Sequence, residues 1–207
     1  MTISAPPRPG RVLDPAKRTA ILEGARAVFM REGFALGSMD AVAAEAGVGK
    51  QTIYRHFQSK EALVEALVEA MCAPEVVRPP KRSLPAKPRT RQRLRELLLT
   101  FVTGVASPDS VRLYRAIVAE ADRMPGLGCL FWEAGPRQVR AAIAELWAEE
   151  HDAATAPVVA EQLVQLALGD AYQELVLGTG SPRPEVFERQ IDAALALLDA
   201  APRRRRR

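Results

Sequence analysis

Apolar residues recur along the chain at intervals of three and four, the spacing that gathers one face of an α-helix. Ile21, Ala25, Val28 and Phe29 form the first such stripe. It opens at Asp14-Pro15, an N-cap followed by proline at the first helical position, and stops at Gly33. A short second helix starts at Ser38 and carries Val42, Ala43 and Ala46 inward. Gly47 ends it with the positive φ that glycine adopts without strain, and Val48 plugs the corner. Ile53 and Phe57 mark a third helix over 50–57, and Ser59 caps a fourth over 59–73 with Leu63, Ala66, Leu67 and Ala70 inward.

Five prolines between Pro74 and Pro88 then exclude helix, which predicts an extended connector over 74–89. The helical pattern resumes at Thr90 with Leu94, Leu97, Leu98, Phe101, Val102 and Val105. Ser107-Pro108 starts another helix, and Met124-Pro125-Gly126 breaks it. Pro136 lies within the next apolar stretch, 127–150, which predicts one kinked helix or two short ones. Residues 156–178 are apolar on nearly every face, whereas 184–200 carry a single stripe. The expected architecture is all-α: a three-helix head over 14–60, a connecting helix, and a larger helical domain over 90–202.

Composition agrees with packed helices, since 48% of the 207 residues are hydrophobic and only 5% aromatic. No 18-residue uncharged apolar run exists and the first residues lack a signal-peptide core, so a cytoplasmic protein without membrane association is expected. Cys72 and Cys129 are too few for a metal cluster and read as reduced thiols; no cofactor is expected. The overall charge of +4 conceals a segregation. Residues 1–60 hold nine Lys/Arg against five Asp/Glu, whereas 96–202 hold seven against sixteen. A basic end that attracts DNA is joined to an acidic body that repels it. Residues 1–13 and the closing run Arg203–Arg207 read as solvated tails.

The stretch 38–60 carries the chemistry. A short apolar helix, a glycine turn and a second helix bearing Lys50, Gln51, Thr52, Tyr54, Arg55 and His56 make a helix-turn-helix, whose second helix enters the DNA major groove. Lys50 and Lys60 each stand at a helix start, where a cation opposes the helix dipole unless an anion such as phosphate joins it. The run AVAAEAGVGKQTIYRHFQSKEAL, with FMREGF before it, closely resembles the N-terminal domain of the TetR-type (tetracycline-repressor-like) bacterial regulators. One departure is Gly49, where the family commonly has a capping serine; glycine caps nearly as well. The run RLYRAIVAEADRMPGLGCLFWEAGPRQV resembles the C-terminal domains of the AefR-like branch. By position in the motif, the resemblance implies that Lys50 and Gln51 reach base edges, and that Ser38, Thr52, Tyr54, His56 and Lys60 hold phosphates. It implies a homodimeric regulator on palindromic double-stranded DNA.

The last two helices leave two readings open from their residues alone: a core face plus a partner face, or a wholly internal pair in a monomer. The resemblance favours a dimer interface, with Leu163, Ala171 and Leu175 on the first helix and Phe187, Ile191, Leu195 and Leu198 on the second. An apolar effector pocket is read from Phe101, Tyr114, Ile117 and Met124 with Phe131, Trp132, Trp147 and Tyr172, which also suit a plain core. Nothing resembles a phosphate loop, a metal-ligand cluster or a nucleophile elbow, so an enzyme is not expected. Three readings stay in play: a repressor released by a lipophilic or aromatic ligand, a regulator controlled by a protein partner or by none, and an enzyme with an accessory DNA-binding head.

Overall fold

Helix caps written into the sequence at Asp14, Ser38, Ser59 and Ser107 set where four of the elements begin. The computed structural model describes residues 14–72 and 90–200, with side chains to Leu198. The N-terminal arm, the 74–89 connector and the arginine tail lie outside the described residues. The elements are α1 (Pro15–Leu36), α2 (Met39–Glu45), α3 (Lys50–His56), α4 (Lys60–Met71), α5 (Thr90–Val105), α6 (Pro108–Ala119), α7 (Pro125–Ala134), α8 (Pro136–Ala148), α9 (Ala156–Leu177) and α10 (Pro184–Ala200). No strand occurs among the described residues. The chain divides into two compact units, Met1–Leu67 and Val68–Arg207, with the division inside α4.

In the first unit the Asp14 carboxylate accepts from the Ala16 amide and Pro15 follows it into α1. Gly33 interrupts α1 at φ 82°, so Phe34 turns back to meet Phe29 edge-on, ring centroids 5.6 Å apart. These two rings close a core with Ile21, Val28, Val42, Ile53 and Phe57. Close approach of α1 to α2 depends on Gly24, where a Cβ would sit 3.0 Å from the Ala46 backbone nitrogen.

The second unit is built on one apolar cluster. Leu94, Leu97, Leu98 and Phe101 of α5 meet Val139 and Ile143 of α8, Leu163 and Val164 of α9, and Ile191 and Leu195 of α10. The proline-containing stretch after Met124 resolves into two helices divided at Gly135-Pro136. One feature escapes the sequence pattern: α9 is interrupted at Gly169, φ 48° and ψ −160°, with the Gln190 side chain over the space where a Cβ would stand.

The residues expected at an interface from the sequence pack inward. Leu163, Ala171, Leu175, Phe187, Ile191 and Leu195 are all buried within their own subunit, and Leu198 is half-buried against the same cluster. Their regular spacing marks the core stripe. The exposed apolar residues of these helices are Val158, Leu166 and Leu177 on α9 and Leu197 on α10. No helix among the described residues is long and apolar enough to cross a membrane.

Candidate nucleic-acid interface and effector cluster

Two helices joined by a tight corner hold the candidate DNA-reading side chains. Ser38 Oγ accepts from the Ala41 amide at 3.1 Å and starts α2; its hydroxyl hydrogen stays available for a further acceptor. Gly47, at φ 62°, lets the Val48 amide donate back to the Ala43 carbonyl at 3.0 Å, which closes the corner. Gly49 then serves as N-cap of α3 without a side-chain bond. Ile53 and Phe57 bury the inner face of α3, and that packing turns Lys50, Gln51, Tyr54 and Arg55 outward. Thr52 is half-buried.

Three of the expected phosphate and base ligands already have partners or settings that the sequence did not announce. Lys50 Nζ pairs with Asp40 Oδ2 at 2.8 Å; both side chains are exposed, and the bond to Asp40 holds the Lys50 pKa above its ordinary value. Asp40, placed in the first turn of α2 for the helix dipole, thus also meets the cation at the start of α3. Lys60 Nζ donates to the Ala35 carbonyl at 2.9 Å, satisfying one of the free carbonyls at the end of α1. The imidazole of His56 does not present its nitrogens to solvent: both are shielded and have no hydrogen-bond partner among the described residues. Burial first, then the positive charges of Arg55 and Arg18, hold its pKa below the ordinary imidazole value. Arg18 itself lies over the Phe57 ring, 4.7 Å from its centroid.

The eight residues read as an effector pocket have different settings, although Trp147 and Tyr172 pack against the cluster that holds Phe101. Phe101 belongs to the central cluster and Ile117 is fully buried. Trp147 stacks on His151 at 3.6 Å and donates to Thr155, near the start of α9. Trp132 is half-exposed beneath the Arg140 guanidinium, 4.6 Å from its ring. What the fold does gather is Tyr114 of α6, 5.9 Å from Phe131 of α7 and 6.2 Å from Tyr172 of α9. Burial, with Tyr114 close by, pushes the Tyr172 hydroxyl up to about 12, so it stays a neutral hydrogen-bonding group. Met124 is half-buried after α6, and Glu120 on that helix's inward side is buried beside Arg123 at 3.6 Å. Arg115, next to Tyr114, donates to the Leu175 and Val176 carbonyls at 2.5 and 2.7 Å, clasping α6 to the end of α9. That clasp joins helices sixty residues apart, a pairing without a local sequence signal. Among the described residues no His/Cys/Asp/Glu group could hold a metal, and Cys72 and Cys129 are free thiols, Cys72 pushed up to about 11 by burial.

Comparison with known proteins bears on both parts of the chain. The family model for bacterial regulatory proteins of the tetR family matches residues 21–67. That for the AefR-like transcriptional repressor C-terminal domain matches residues 92–201. The HTH-type transcriptional regulator UidR of Escherichia coli K12 is 43% identical over 51 residues, which cover 25% of this chain and 26% of UidR. The chain therefore matches about a quarter of the length of the curated relatives. Among solved structures, the flavonoid-responsive regulator FrrA is 31% identical with a TM-score of 0.73, covering 92% of this chain and 100% of FrrA. A transcriptional regulator from Mesorhizobium loti shares the fold at 24% identity and a TM-score of 0.70, over 90% of this chain and 96% of its own.

Proposed function

The chain belongs to the TetR family of bacterial transcriptional regulators, and on that premise we propose that it is a homodimeric repressor released from a palindromic operator by an aromatic ligand. The observation that carries the DNA-binding part is the outward face of α3, Lys50, Gln51 and Tyr54, held rigid by the buried Ile53 and Phe57. Lys50 and Gln51 read base edges; Ser38, Thr52, Tyr54, His56 and Lys60 hold phosphates. Two such heads meet half-sites about one helical turn, roughly 34–36 Å, apart. Dimerisation uses the exposed apolar residues Val158, Leu166 and Leu177 of α9 and Leu197 of α10, which a lone subunit leaves in water. The protein acts in the cytoplasm and has no catalytic role.

The effector reading rests on Tyr114, Phe131 and Tyr172, three rings from three helices with two hydroxyls among them. FrrA is described as flavonoid-responsive, and planar phenols are therefore the first class to test here. A ligand releases the operator only by binding the DNA-incompetent arrangement more tightly, with α4, which spans the division between the units, as the shared element. The experiment is enrichment of bound duplexes from a random library by the full chain. Thermal-shift and operator-release assays with flavonoids follow. Palindromic enrichment with release by a stabilising flavonoid is the expected outcome. Enrichment with no ligand effect would favour control by a protein partner, and no enrichment would remove the DNA-binding assignment.

A further inference from the structure

We propose that His56, together with Lys17 and Arg18 of α1, is a proton-linked phosphate contact: its unpartnered imidazole takes up a proton when a DNA backbone phosphate docks against it. The inference rests on the DNA-binding reading above and adds a pH dependence which that reading does not require.

His56 is the last residue of α3, its ring tilted against Phe57 with centroids 6.4 Å apart. A neutral imidazole carries one donor and one acceptor, and here neither finds a partner among the described residues although both nitrogens are shielded from water. Buried polar atoms are ordinarily paired, so an unpaired ring at a candidate DNA surface is the exception that asks for a ligand. The charged groups whose fields reach it come from two elements: Arg55 of α3, and the cap Asp14 with Lys17 and Arg18 at the start of α1. Three cations oppose one carboxylate, and that carboxylate is already engaged as the cap of α1. Lys17 and Arg18 are themselves exposed, so the cluster is open to an approaching anion.

The electrostatics of this cluster invert when a phosphate arrives. In the free chain, burial and the three cations all disfavour a charged imidazole. A phosphodiester offsets Lys17, Arg18 and Arg55 and supplies an acceptor for the ring N–H, so the charged form becomes the favoured one. No hydrogen bond among the described residues has to be broken for the ring to turn toward it. The imidazole pKa is then lower in the free protein than in the complex. Binding takes up a proton, and the added affinity is present at low pH and lost as pH rises through the bound-state value.

The chain has two histidines, so imidazole carbon–proton NMR reports His56 with His151, stacked on Trp147 in the other unit, as internal reference. The probe is a duplex enriched from a random library by the full chain. His56 is expected to titrate below the ordinary imidazole range alone and at higher pH in the complex. Affinity at fixed ionic strength should be about tenfold tighter per subunit at pH 6 than at pH 8. His56→Gln, which keeps polarity but cannot titrate, should flatten that dependence. A His56 titration unchanged by the duplex, or a His56→Gln variant with the wild-type pH profile, would overturn the proposal while leaving DNA binding intact. Failure to enrich any duplex would remove the DNA-binding reading and this inference with it.

Discussion

Lys60 holds the end of α1, and a single substitution separates that contact from the proposed phosphate role. Lys60→Ala removes the bond to the Ala35 carbonyl, which should lower the stability of the DNA-binding unit by about 1 kcal/mol in chemical denaturation. If Lys60 also holds a phosphate, affinity should fall evenly across operator sequences and the salt slope should drop by roughly one. Gln51→Ala should instead relax specificity at one position with the slope intact. His56 also links folding to pH. Its pKa is lowered in the folded chain, so the unfolded chain binds the proton more readily and its neutral form favours folding above the ordinary imidazole value. That stability is lost as pH falls through this value. The urea midpoint of the first unit should be lower at pH 5 than at pH 7.5, and His56→Gln should reduce the difference.

At the scale of elements, the caps and the breaks at Gly33, Met124 and Pro136 were legible, and the break at Gly169 was not. Asp14-Pro15 and Ser107-Pro108 start helices where the sequence places them, because a cap and its proline act within one turn. Gly169 gives no such signal: its neighbours continue the apolar period on both sides, and the Gln190 side chain that fills the space of a Cβ comes from α10. The residues expected at an interface pack inward for a related reason. A periodic stripe identifies the face a helix buries, and α9 and α10 bury theirs within the chain, so Leu163 and Ile191 report the core. For the candidate DNA-reading face, a short motif confines Lys50 to Lys60 to adjacent turns, yet the partners of Lys50 and Lys60 were not visible in it. The two faces of the last helices predict opposite results. Leu166→Glu should leave the circular dichroism spectrum and Tm near wild type while shifting sedimentation from dimer to monomer. Ile191→Glu should cost upwards of about 3 kcal/mol of folding stability, read as a large loss of Tm.

For the whole molecule, the test of regulation is reciprocity. If a flavonoid lowers operator affinity, operator DNA must lower flavonoid affinity by the same factor, typically 5–150-fold by order of magnitude for coupling of about 1–3 kcal/mol. Calorimetry of the ligand with and without duplex measures it, and a flavonoid affinity unmoved by the duplex would exclude the release mechanism. The pair between Lys50 and Asp40 bears on a different problem, the search through a chromosome. Asp40 engages the ammonium group in the way a phosphate would, so DNA competes with a resident anion for Lys50. If Lys50 reads a base edge, as proposed, only the operator offsets that competition. The carboxylate would then weaken binding to the large excess of unrelated sequence. Removing it with Asp40→Asn should raise affinity for random duplex more than for operator, and the protein would then spend its time bound in the wrong places.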